Sequence, residues 1–99
     1  MWHAAAKASE LSPDSGRTLD VGGKKLALFN VSGKFYALDN TCPHRGCPLG
    51  EGHLENSVVR CPWHAWEFDV KTGACLNAEH VKQNCYETKV ERGEVWVDV

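Results

Sequence analysis

The sequence predicts an all-β domain: an antiparallel sandwich or small barrel. Short apolar–polar alternations recur along the chain, as in "YETKVE" (86–91) and "EVWVDV" (94–99). Turn signals separate these runs at short intervals, the pattern of many small strands joined by hairpins. Helical periodicity is weak.

In chain order, only "AAAKASEL" reads as helical, and Ser12, Pro13, Asp14, Ser15 and Gly16 then form a turn cluster. "KKLALFNVS" and "KFYALDN" are strand-like runs parted by Ser32-Gly33, a hairpin break. "SVVRC" (57–61) follows a turn at Glu55-Asn56. "AWEFDV" alternates and breaks at Lys71, Thr72 and Gly73, and the last two runs flank Arg92-Gly93. There is no repeat, no low-complexity tract and no linker. The 99 residues therefore read as one domain, 1–99.

The composition narrows the function classes. The formal charge of −2 offers no polycationic face for nucleic acid. The longest apolar runs, such as "LALF" at 26–29, are too short to cross a bilayer. "MWHAAAK" lacks the basic start and apolar stretch of a signal peptide, so the expected compartment is the cytoplasm. There the five cysteines are expected as reduced thiols or metal ligands, not disulfides.

Two segments interrupt the β pattern. "CPHRGC" (42–47) and "CPWH" (61–64) each offer one cysteine and one histidine at the end of a strand-like run. Cys42, His44, Cys61 and His64 are the candidate ligands. Sixteen residues, 45–60, separate His44 from Cys61, enough for a hairpin to return the second loop beside the first. Thiolate and imidazole together suit zinc, copper and iron. A structural zinc site, and with it a zinc-stabilised interaction module, is one reading. Zinc fingers usually group cysteines in one segment and histidines in another. Here both segments are mixed. That order also suits a two-iron cluster with two cysteines on one iron and two histidines on the other.

"CPHRGCPLGEG" and "CPWHAWEFDVKTG" resemble the two cluster-binding boxes of the Rieske family, and "GKFYALDNTCPH" and "VERGEVWV" are similar to its soluble members. The resemblance covers most of the chain. It implies an all-β fold with a small cluster-binding subdomain, about 41–68. It also implies one [2Fe-2S] cluster per chain, held by Cys42, His44, Cys61 and His64. Such a centre moves single electrons. With two ferric ions, two sulfides and two thiolates the oxidised cluster is neutral, and imidazole in place of two thiolates raises its potential.

High-potential members, by the same resemblance, add a disulfide between the loops and two hydroxyls, from a serine and a tyrosine, on cluster sulfurs. Here Cys47 stands at one disulfide position but Trp63 at the other. Trp66 stands at the serine position and Phe68 at the tyrosine position. These departures imply a centre toward the lower end of the roughly −150 to +300 mV range of Rieske sites. The class is similar to the ferredoxins of aromatic-ring dioxygenases and to the small subunit of NAD(P)H nitrite reductase. The expected function is electron carriage, with no catalytic site in this chain. The expected partners are a flavin or NAD(P)H-dependent reductase and a terminal oxygenase, or a nitrite reductase large subunit. A monomer is expected.

Of the other residues, Gly46, Gly50, Gly52 and Gly73 read as turn or close-approach positions. Pro43, Pro48 and Pro62 read as loop stiffeners. Trp63, Trp66 and Leu49 are candidates to shield the cluster or rim a docking face, with core packing favoured for Trp66. Cys75 and Cys85 read as buried, inert thiols, Cys47 as loop packing, and Arg45 as an exposed charge beside a ligand. His3, His53 and His80 have no cysteine at metal spacing.

Overall fold

A computed structural model describes residues 1–41, 48–61, 66–77 and 81–99. Among these residues the architecture is β throughout, in three antiparallel sheets. The strands are β1 (Trp2–Lys7), β2 (Ser15–Val21), β3 (Lys24–Val31), β4 (Lys34–Asp39) and β5 (His53–Glu55). They continue with β6 (Val58–Arg60), β7 (Glu67–Asp69), β8 (Cys85–Tyr86), β9 (Thr88–Glu91) and β10 (Glu94–Asp98). Their spatial orders are β1-β10-β9, β2-β3-β4-β8 and β5-β6-β7. Among the described residues, no helix is long and apolar enough to cross a membrane.

The hairpins fall where the turn residues demand them. Ser32 (φ 51°) and Gly33 (φ 92°) are both left-handed between β3 and β4, as are Arg92 (φ 52°) and Gly93 (φ 77°) between β9 and β10. Two successive positive φ values turn the chain with the hand that matches strand twist. Gly22-Gly23 joins β2 to β3 in the same manner.

β3 is the shared wall of two cores. Ala27 and Phe29 point into a first core with Leu38, Leu49, Leu54, Val59, Cys61, Phe68, Val70 and Cys75. Leu26 and Leu28 point the opposite way, into a second core with Leu11, Val21, Ala37, Val95 and Val97. The alternation is the period of two that a strand imposes.

Several expectations are corrected. The segment expected as a helix is strand β1 followed by a short 3-10 turn, Ala8–Glu10. A helix of this length is marginal in water. Pairing with β10 satisfies the backbone, and Ala5, Ala6 and Ala8 pack against the second core. Ser15 and Gly16 open β2 instead of closing a turn. "YETKVE" is split at Glu87, so that β8 pairs with β4 while β9 pairs with β10. Cys75 is buried as expected, but Cys85 is exposed because it lies on a two-residue edge strand.

Candidate functional site

The two cysteine–histidine segments are carried by the small sheet β5-β6-β7 and by the end of β4. Of the predicted ligands, Cys61 is described: it follows β6 directly and is 1% exposed, with its side chain in the first core. Cys42, His44 and His64 lie outside the described residues, as do Pro43, Arg45, Gly46, Cys47, Pro62, Trp63 and His80.

The backbone at the feet of both segments is closely tied. Thr41 and Pro48 form a β-bridge across the first segment. The Cys61 N–H donates to the Trp66 carbonyl at 2.7 Å across the second. The register of the small sheet places His53 opposite Arg60, and Arg60 opposite Glu67. The residues leaving the first segment and both ends of the second therefore stand at one end of this sheet. Gly52 abuts the Arg60 carbonyl so closely that a Cβ there would collide with it.

Asn40 anchors the first segment on its own side. Its Oδ1 accepts from the Gly50 N–H at 2.8 Å and from the Thr18 hydroxyl at 3.0 Å. Its carbonyl accepts from the Leu49 N–H at 2.8 Å. Gly50 has no positive φ; it is required because a Cβ would lie 2.5 Å from Thr18 Oγ1. Leu49 is fully buried, so it belongs to the core and not to a docking rim. Gln83, also buried, donates from Nε2 to the carbonyls of Asp39 (2.7 Å) and Thr41 (2.6 Å).

Asn40 and Gln83 escaped the sequence reading. Asn40 carried a weak signal, as a polar residue between a strand and a ligand segment. Gln83 carried none, because its partners lie 42 and 44 residues away.

Asp39 also receives the Tyr86 hydroxyl at 2.6 Å and the Asn84 amide at 2.8 Å. Burial pushes the Tyr86 phenol up to about 12, with the bond to Asp39 and its negative charge adding to the shift. Cys85, though exposed at the sheet edge, has its thiol raised by partial desolvation and by the charge of Asp69, against a lowering by Lys82. Trp66 is half-buried against the first core, in line with the packing role expected of it. Phe68 is fully buried there and is bridged to Cys75. His53 is exposed, 3.6 Å from Glu55.

The chain has close relatives among known proteins. It is 38% identical over 100 residues to the ferredoxin component of a naphthalene 1,2-dioxygenase system of Pseudomonas putida, covering 99% of this chain and 95% of that one. A chain in the solved complex of reduced oxygenase and oxidised ferredoxin in carbazole 1,9a-dioxygenase superposes with a TM-score of 0.89 at 36% identity, covering 97% and 91%. An NADH-dependent nitrite reductase small subunit from Mycobacterium tuberculosis superposes with a TM-score of 0.91 at 25% identity, covering 98% and 93%. Residues 1–91 match the Rieske [2Fe-2S] domain, and the chain belongs to that family.

Proposed function

We propose that the chain is a one-electron carrier of a dioxygenase-type system, taking electrons from a reductase and passing them to a terminal oxygenase. One [2Fe-2S] cluster per chain is held by Cys42, His44, Cys61 and His64, within a single domain, 1–99, whose cluster-binding part is about 41–68. The protein works as a cytoplasmic monomer, and the catalytic chemistry belongs to its partner.

The observation that supports this reading is that the described residues flanking both mixed cysteine–histidine segments, Thr41 and Pro48 on one side and Arg60 and Glu67 on the other, are tied together by bridges and strand pairing around the small sheet. Their donor set fits a two-iron cluster: two thiolates for one iron, two imidazoles for the other. The scaffold fits as well. Cys61 is seated in the apolar core, which shields a ligand sulfur from water. The bonds of Asn40, Gln83 and the Cys61 N–H hold the feet of the segments. When bound, the cluster supplies a site that accepts and releases one electron; the chain fixes its position and surroundings.

The protein purified with its metal is expected to be red-brown and to give a Rieske EPR signal once reduced. A colourless, zinc-containing protein with no such signal would refute the proposal. The likeness to a nitrite reductase small subunit favours a second reading, a permanent subunit. Size-exclusion with the native partner separates the two. A free carrier elutes alone at its 11.0 kDa, whereas a subunit stays with the large chain.

A further inference from the structure

We infer that Gln83 is a positioning residue for the cluster: a strut that sets the two ligand segments against each other from beneath. The inference rests on the assignment of Cys42, His44, Cys61 and His64 as ligands. Gln83 is 5% exposed, and an amide so buried is retained only when its hydrogen bonds are made. Its Nε2 grips the carbonyls of Asp39 and Thr41, the latter immediately before Cys42. Two carbonyl acceptors identify that end of the amide as nitrogen.

The same residue reaches the other segment through its main chain. The Gln83 N–H donates to the Gly73 carbonyl at 2.7 Å, and the Gly73 N–H donates to the carbonyl of Asp69, the last residue of β7. A bridge between Ala74 and Lys82, and a bond from the Cys75 N–H to the Val81 carbonyl, extend this seam. β7 begins one residue after Trp66, which closes the second segment. One side chain and one peptide therefore join the backbone leading into the first segment to the strand leading out of the second. A disulfide between Cys47 and residue 63 is ruled out by Trp63, so this brace lies at the base and is made of hydrogen bonds.

Gln83→Met keeps the length and the unbranched shape but removes both donors. Gln83→Glu keeps the shape and turns the donor into an acceptor facing two carbonyls. Val97→Ala, in the second core, is the control for lost stability alone. Each protein, loaded with its cluster, is read by reduced-state EPR, by film voltammetry and by the rate of iron release to a chelator.

Both Gln83 variants are expected to release iron roughly tenfold faster, the order set by two lost buried hydrogen bonds. They should also move the g-values or the midpoint potential, while Val97→Ala leaves all three readouts at the parental values. Parental EPR, potential and release rate in the Gln83 variants would overturn the strut. So would changes that Val97→Ala reproduces at equal loss of Tm. If Gln83→Met does not accumulate folded, Gln83→Glu decides alone. A parental protein without a Rieske signal overturns the functional reading, and the strut with it.

Discussion

Phe68 lies fully buried on β7, two residues beyond the close of the second ligand segment. It differs from tyrosine by one oxygen, and it stands where the resemblance to high-potential Rieske members implies a hydroxyl that donates to a cluster sulfur and favours the reduced form. Phe68→Tyr is expected to raise the midpoint potential by about 40 mV, the one-electron equivalent of a hydrogen bond worth about 1 kcal/mol. Film voltammetry checks this; an unchanged or lower potential in both Phe68→Tyr and Trp66→Ser would remove the hydroxyl argument.

Tyr86 gives a second prediction at this scale. Its folded-state pKa is raised to about 12 from an ordinary 10. Below pH 10 both the folded and unfolded chains keep the proton, and the contribution of the Asp39 bond is whole. Between pH 10 and about 12 the unfolded chain loses its proton first, so stability falls as pH rises. Denaturant titrations across this window are expected to show a shallower decline for Tyr86→Phe than for the parent. Equal slopes would mean that burial and the bond to Asp39 do not hold the phenol's pKa up in the folded chain.

At the scale of elements, β3, β4, β6, β7 and β10 were legible in the sequence, to within two residues at their ends, because alternation and left-handed turn residues agree there. β1 was not, since three alanines carry a local preference for helix that pairing with β10 overrides. β2 and β5 were not legible either. "SGRTLDV" has few apolar residues, and "HLE" is too short to show a period. The two cysteine–histidine segments stand out in the sequence because both residue types are rare and their spacing is informative, but apart from Cys61 they lie outside the described residues. Gln83, which ties down one of their feet, was not legible, because hydrogen bonds across 42 and 44 residues leave no local trace.

The turn after β7 shows what such seams demand. Gly73 has φ +80°, and a Cβ there would run into the Gln83 carbonyl. Gly73→Ala therefore combines a left-handed backbone with a collision that no rotamer relieves. The expected cost exceeds about 2 kcal/mol, read as a fall in Tm of roughly 8 °C or more. A smaller fall would mean that the turn can move away from segment 81–84.

Across the whole molecule, the division into two cores separates the support of the site from the support of the fold. Leu28→Ala and Phe29→Ala empty neighbouring positions on opposite faces of β3. Each is expected to cost about 2–5 kcal/mol in denaturant unfolding. Only Phe29→Ala should speed iron release as well, since the first core contains Cys61, Phe68 and Leu49. Equal release rates in the two variants would show that the cores are not independent supports.

The same two-faced strand constrains how the chain can misfold. A slip of β3 by one residue would offer Leu28 to the chamber shaped for Phe29, and Phe29 to the chamber shaped for Leu28. Neither side could accommodate the error while the other stayed intact. Register is thus proofread twice, because a one-residue slip disrupts both interiors at once and preserves neither.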